Sequence, residues 1–455
     1  MTNEEIMQGF IERARAAQKK FDAEFDQERT DACVRAIAKV VYDNAEMFAK
    51  MAVEETRMGV YEDKVNKNRG KAKVIWNSLK GVRSMGILSE NEETGIIEIA
   101  RPVGVVGAVT PCTNPIVTPM CNSMFALKGK NAIIIGPHPR AKKCNLVVVN
   151  MMRAELEKLG APADLIQTME EPSVELSALL MKSVDVVVAT GGMPMVRSAY
   201  SSGKPAYGVG QGNVQCIIDR GVDIAETVPK IVAGRIFDNG IICSGEQTAI
   251  CPKEDYDAIM AEFVKNGAYY IEGGEERTRL TEALFPNGVM NKNLVGQSVK
   301  KVAEAAGIEL PEGIKVIVVK ADGCGRASYL AKEKMCPVIA SYAYDTFEEA
   351  VAIAQANLDY EGKGHSVSLH TNDIEHARYA GQKLEVARVL VNQICSTMNG
   401  GALTNSLTPT TTLGCTSWGN NSISENFSHK FLLNVIRVAY PKKDTRIPTD
   451  DEIWG

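Results

Sequence analysis

Apolar positions Ile6, Phe10, Ala14, Ala17, Phe21 and Phe25 recur at intervals of three and four and mark one stripe of an opening helix. Thr2 and Glu5 stand before it at capping-box spacing. A second helical stretch is expected over about 31–51. From Gly86 the pattern changes: GILSE and GIIEIA flank the polar NEET and predict a hairpin over about 86–100. Short β-branched runs then alternate with helix-length segments. The runs are 103–109, 132–135, 184–189 and 216–218, with helices expected over 118–128 and 141–159. A second set of runs follows at 315–319, 338–342, 366–369 and 389–392, and 225–245 joins the two sets as a helix leading into a Gly/Ser turn. Alternating β and α predicts parallel sheets covered by helices on both faces. Without a Pro-rich linker or a short repeat, the two halves are expected to be docked lobes with a cleft between them.

Composition narrows the functional classes. The chain has 455 residues, 45% hydrophobic and 24% charged, which is ordinary globular usage. The formal charge of −5, with no long basic run, gives no support to a nucleic-acid or membrane-surface role. No apolar stretch approaches the ~18 residues of a membrane span. The first residues, MTNEEIMQGF, lack a signal pattern. Eleven scattered cysteines without a CxxC pair suggest reduced thiols and a cytoplasmic location. The five histidines form no metal-binding array, so no metal is expected.

Three segments carry candidate chemistry. In Asn239-Gly-Ile-Ile-Cys243-Ser-Gly-Glu-Gln247 the cysteine sits between glycines that allow a tight turn and close approach to a substrate. A helix starting near Ser244 would favour its thiolate; the plainer reading is a small buried hydrophobe. Asn114 follows the strand over 103–109 and offers an amide donor to an oxyanion, or a simple turn cap before Pro115. Thr190-Gly191-Gly192 lies between a strand and a helix and suits a pyrophosphate, though Gly-rich turns are common.

Taken with Thr113–Pro119, Pro137–Lys142, Lys332–Val338, Thr411–Gly419 and Asn421–Asn426, these segments resemble the aldehyde dehydrogenase superfamily and, within it, the CoA-acylating branch. The likeness is greatest to acylating succinate-semialdehyde dehydrogenases, with sulfoacetaldehyde-, acetaldehyde- and propionaldehyde-acylating enzymes as neighbours. The resemblance implies an α/β fold: a Rossmann-type cofactor domain over 1–224, with the oligomerisation hairpin; a catalytic domain over 225–425; and a terminal segment, 426–455, returning to the cofactor domain or an oligomer interface. It implies Cys243 as nucleophile and Asn114 as oxyanion donor beside the Cys243 backbone N–H. Pro137, His138 and Arg140 would line the adenosine half of the cofactor, Thr190, Gly191 and Gly192 its diphosphate, and Glu333 the nicotinamide ribose. His365 matches a histidine characteristic of the acylating branch.

Hydrolytic relatives carry a water-activating glutamate whose position falls on or near Val209 here. No carboxylate occurs between Lys204 and Asp219. Without a base, water attacks a thioester slowly, and a free thiol takes over. The expected reaction is reversible: aldehyde, CoA and NADP or NAD give acyl-CoA and reduced cofactor. Arg140, Lys142 and Lys143 lean towards NADP, although a solvated basic helix start explains them equally well. The loop 393–401, with Ser396, Thr397 and Asn399, and Cys112 before Asn114, are the expected pocket for a short acidic aldehyde. That loop lacks Lys and Arg, so hydroxyl, amide and backbone N–H groups would hold an anionic tail. A homodimer or homotetramer is expected from the hairpin, and no encapsulation peptide from the position of the first helix. A hydrolytic dehydrogenase and a non-catalytic nucleotide-binding scaffold are the rival readings.

Overall fold

The structure is a computed structural model and describes residues 2–442 and 445–455. The helices of the first half are α1 (Asn3–Glu24), α2 (Gln27–Asp43), α3 (Ala45–Thr56), α4 (Tyr61–Leu79), α5 (Val117–Lys128), α6 (Lys142–Lys158), α7 (Val174–Ser183), α8 (Met193–Tyr200) and α9 (Ile224–Ile236). The capping box of Thr2 and Glu5 forms as its spacing predicts. The helix expected over 31–51 is two helices instead: α2 ends at Asn44, whose side chain bonds back to the Val40 carbonyl at 2.9 Å.

Three sheets organise the chain. Strands β1 (Gly86–Asn91) and β2 (Ile96–Pro102) form the hairpin. Strands β3 (Val105–Thr110), β4 (Ala132–Pro137), β5 (Ile166–Thr168), β6 (Val186–Thr190) and β7 (Ala206–Val209) form a parallel sheet in the order β5-β4-β3-β6-β7. The connections move outward from β3 through β4 to β5, then return to its other side at β6. That reversal is a topological switch point, where α/β sheets bind ligands beyond the carboxyl ends of their strands.

The other strands are β8 (Gln215–Ile218), β9 (Thr248–Pro252), β10 (Ala268–Ile271), β11 (Val316–Lys320), β12 (Val338–Tyr344), β13 (Gly364–His370) and β14 (Val386–Val391), with β15 (Leu433–Ala439) near the end. β8 to β14 form a parallel sheet in the order β10-β11-β12-β9-β8-β13-β14. β8 thus sits in the second sheet although it precedes residue 225. β15 returns to pair antiparallel with β2 and completes the small sheet. The central strands are buried end to end (VVGAVT, AIIIGP, TAICP), as parallel strands covered on both faces require. Among the described residues no helix is long and apolar enough to cross a membrane.

Candidate active site

Helix α9 ends in a sharp turn. Asp238, Asn239 and Gly240 all take left-handed backbone angles, with φ of 53°, 54° and 70°. The turn sends the chain through Cys243 and on into β9. Cys243 does not stand at a helix start: the Gly245 N–H closes a turn onto the Ile242 carbonyl at 2.9 Å, and no helix begins at Ser244. The expected helix-terminus stabilisation of a thiolate is therefore absent. Burial, then the nearby Glu333 and Cys415, push the Cys243 thiol up to about 12, against the opposing pull of Arg388 and its own backbone N–H. At rest the sulfur carries its proton. Its carbonyl lies so close to Gly212 that a Cβ there would stand 1.9 Å from the oxygen.

The surroundings of Cys243 are apolar on the side where a water-activating base would stand. The sulfur residue packs against Val209, Leu413 and Cys415. Arg235, fully buried, fixes the loop from behind. Its guanidinium donates to the carbonyls of Cys336 (3.0 Å), Glu246 (3.1 Å) and Gly240 (2.7 Å), and also to Lys334. It ties the 240–246 loop to the segment that carries Glu333. Nothing in its sequence context, IVAGRI, distinguishes it from a surface arginine at a helix end.

Asn114 follows β3 and lines the same cavity as Cys243. Its Oδ1 accepts from the Lys67 ammonium at 2.8 Å, and Lys67 is itself held by Asp238 Oδ2 at 2.6 Å. The Asn114 Nδ2 has no acceptor among the described residues. The Cys243 N–H also meets no carbonyl among the described residues, so the cavity that Cys243 and Asn114 line holds two N–H donors of the kind an oxyanion needs.

The switch point supplies the second half of the site. Thr110–Cys112, Pro137–Arg140 and Thr190–Gly192 lie at the carboxyl ends of β3, β4 and β6. Gly192 begins α8 with no side-chain cap, which leaves the Gly192 and Met193 N–H groups without a partner among the described residues and open to an anion; Pro194 has no N–H, and the Met195 N–H bonds the Gly192 carbonyl at 2.9 Å. Glu333, buried near Cys243, is raised to about 8 by burial and by Glu361, while Arg235 and Gln211 oppose the shift. A protonated or ionised carboxyl there suits paired hydroxyls. These residues fit a nicotinamide dinucleotide. His138 Nδ1 accepts from the Arg140 N–H at 3.1 Å, and the Arg140 guanidinium donates to the Thr56 carbonyl at 3.0 Å. Lys142 pairs with Glu171, and Glu55 accepts from the backbone of Lys143 and Cys144. The basic cluster is thus partly committed within the chain.

The 393–401 loop is tied to the 240–246 loop. Glu246 Oε1 accepts from the Cys395 N–H at 2.6 Å, and Ser244 Oγ donates to the Ser396 carbonyl at 3.2 Å. Of the expected pocket residues, Ser396 and Thr397 line a cavity of about 280 Å³ with Cys243 and Asn114. Asn399 does not: it is fully buried, and its Nδ2 is spent on Ser366 Oγ at 2.6 Å. Cys112 does not line it either. Its side chain packs against the core of the first sheet, within reach of the Arg140 charge. A further set of pocket residues comes from α4, which the hydrophobic pattern left unread: Lys67, Lys71 and Val74.

His365 is fully buried, and neither ring nitrogen has a partner. Burial and then Arg388 lower it to about 3, so the imidazole is neutral. The backbone of the preceding Gly364 packs against the Cys415 carbonyl, 1.9 Å from where a Cβ would stand, which sets His365 behind the apolar wall of Cys243.

Residues 1–403 match the model of the aldehyde dehydrogenase family. Over its full length the chain is 53% identical to the succinate-semialdehyde dehydrogenase (acetylating) of Clostridium kluyveri, all of which is covered. It is 41% identical to a sulfoacetaldehyde dehydrogenase of an Acholeplasma species, over 98% of this chain and 93% of that one. Among solved structures, the propionaldehyde dehydrogenase of Rhodopseudomonas palustris, with bound CoA and an acylated cysteine, superposes with a TM-score of 0.86 at 27% identity. That match covers 95% of this chain and 97% of the other.

Proposed function

The chain belongs to the aldehyde dehydrogenase family, and from that premise we propose that it is a CoA-acylating member converting a short acidic aldehyde, NAD(P) and CoA reversibly into acyl-CoA and NAD(P)H. The observation that carries the reading is the environment of Cys243: a thiol that shares its cavity with the Asn114 amide and is walled by Val209, Leu413 and Cys415 where a hydrolytic enzyme needs a base. The names of the relatives support the acylating class and, in succinate semialdehyde and sulfoacetaldehyde, an anionic tail. Succinate semialdehyde is the preferred substrate of this reading because that relative shares more than half of its residues with the chain.

In the mechanism, the Cys243 thiol gives its proton to solvent, where it is the proton the overall reaction releases with NAD(P)H, and the sulfur attacks the aldehyde carbon. The developing alkoxide sits between Asn114 Nδ2 and the Cys243 N–H, donors fixed before the reaction begins. A bound nicotinamide supplies the hydride acceptor, and an acyl thioester remains on Cys243. Glu333 and the backbone N–H groups of Gly192 and Met193 would hold the dinucleotide at its ribose and diphosphate. The apolar wall leaves water unactivated, so the thiol of CoA displaces Cys243 and carries the acyl group away. One thioester replaces another, and the step runs in both directions.

The remaining expectations belong to the same reading. The first sheet with α1–α8 forms the cofactor unit, and the second sheet with the 240–246 loop forms the catalytic unit. The β1-β2-β15 sheet exposes Ile87 and Ile436, which supports pairing with a second copy as a dimer or tetramer. Eleven free cysteines support a reducing, cytoplasmic setting.

The test is a panel of succinyl-, sulfoacetyl-, acetyl- and propionyl-CoA assayed for NADH and NADPH oxidation. Succinyl-CoA is expected to give the highest kcat/KM. Activity confined to acetyl- and propionyl-CoA would remove the acidic substrate and leave the acylating chemistry standing.

A further inference from the structure

Helix α4 carries lysines at 64, 67 and 71, spaced by three and four, and all three turn inward beside the catalytic loop. Buried ammonium groups need partners. Lys64 and Lys67 share one: Asp238 Oδ2 lies 3.0 Å from the first and 2.6 Å from the second. Lys71 has no such partner. No carboxylate among the described residues lies within ion-pair distance of it, and its amine donates only to the Gly400 carbonyl, at 3.0 Å. Two of its three N–H groups are left for the cavity it lines with Cys243 and Asn114.

The loop over that cavity is shaped around the amine. A Cβ on Gly400 would stand 2.7 Å from the Thr410 carbonyl oxygen and 2.6 Å from Lys71 Nζ, so the loop backbone requires glycine here and lies directly against the amine. Distance along the helix fits as well. Lys67 touches the oxyanion donor Asn114 at 2.8 Å, and Lys71 lies one turn, about 6 Å, further on. The cavity, about 280 Å³, is at the small end of ligand pockets, which run to roughly 300–1,000 Å³. It suits a short chain with a carbonyl at one end and an anion at the other.

We propose that Lys71 is the specificity-determining residue of this site, its ammonium pairing with the carboxylate or sulfonate at the far end of the aldehyde while Cys243 attacks the carbonyl. The proposal rests on the acidic-aldehyde reading above and gives that reading a residue. It also replaces the expectation that hydroxyl and amide groups of the 393–401 loop hold the tail: the cation comes from α4, outside that loop. Burial holds the Lys71 amine down to about 8; Cys121 on α5 and Cys243 oppose that shift, and Lys67 adds to it. An anion in the cavity favours the ammonium. Affinity for an anionic aldehyde is therefore full below about 8 and falls as pH rises through that value, roughly tenfold per pH unit.

The experiment compares succinate semialdehyde, sulfoacetaldehyde and butyraldehyde at saturating CoA and NAD(P) in the wild-type enzyme, Lys71→Met and Lys71→Arg. The wild type should prefer an anionic aldehyde, and which one it prefers separates carboxylate from sulfonate. Lys71→Met should cut the anionic-to-neutral ratio of kcat/KM by roughly 10- to 100-fold, through KM, and Lys71→Arg should restore part of it. In the unmutated enzyme the KM of the anionic aldehyde should climb above pH 8 relative to that of butyraldehyde, a readout that needs no variant. A wild-type preference that survives Lys71→Met overturns the role of Lys71 and leaves the substrate reading intact. An equal fall on all three aldehydes also overturns it, since Lys71 then only supports the Gly400 loop. A wild type without preference removes the substrate reading and this proposal together.

Discussion

An ammonium can only donate, so the 2.8 Å contact from Lys67 must fall on the carbonyl oxygen of the Asn114 amide. That contact turns the NH₂ group towards the cavity, where an oxyanion needs it. Lys67 is therefore a positioning residue, acting through Asn114. Removing the donor itself, as Asn114→Ala, should lower kcat by about 10²- to 10³-fold. Lys67→Met leaves the amide present but free to rotate, and should lower kcat by about 10- to 100-fold with little change in aldehyde KM. Steady-state kinetics at saturating CoA reads both; an unchanged kcat in Lys67→Met contradicts the positioning role. Cys243 and Asn114, which line one cavity, drew attention in the sequence through glycine neighbours and a strand end, and the family resemblance gave them their proposed roles. The lysine was not. A lysine on a helix is ordinarily a solvated residue, and nothing local announces that its helix faces inward.

The same difficulty recurs at the scale of elements. Helix α4 buries Val65, Ala72, Ile75 and Leu79 as its core stripe, and its second inward stripe is built from lysines, which pattern reading assigns to solvent. Asp238 explains how they are tolerated. It is fully buried, sits in the left-handed turn before Cys243, and accepts from Lys64, Lys67 and the Val60 N–H. The two lysines hold its carboxyl below the usual range despite burial. Its stabilising contribution is present above the ordinary carboxylate pKa and is lost as pH falls through the lowered value. One carboxylate thus pins α4 to the catalytic turn. Asp238→Asn leaves two buried cations with no anion and should cost about 3–5 kcal/mol of stability. Urea unfolding of the intact enzyme near neutral pH measures it, and a loss below 1 kcal/mol contradicts the account. Strand boundaries fared better. β3, β4, β6 and β12 fall within two residues of the apolar runs at their starts and ends, because strands buried on both faces are continuous in sequence. The short β5, β7 and β10 carry too few residues to show a period.

At the scale of the whole molecule, the two parallel sheets put four distant segments around one sulfur: 110–114 from the first sheet, 240–246 and 333 from the second, and 396–401 beyond it. The alternation of elements announced the sheets, and the switch point follows from the return of β6 beside β3. The order of the second sheet and the crossing of α4 over the catalytic turn depend on long-range packing that no window of sequence contains. The central claim joins these parts: Cys243 holds an acyl group that only an incoming thiol removes efficiently. The most direct measurement is rapid-mix kinetics with succinate semialdehyde and NAD(P) but no CoA, coupled to intact-mass analysis. The account predicts a burst of a single NAD(P)H per active site, an acyl adduct on the Cys243 peptide, and resumed turnover when CoA is added. Linear turnover without CoA at the rate seen with it, or the same burst from Cys243→Ala, would contradict it.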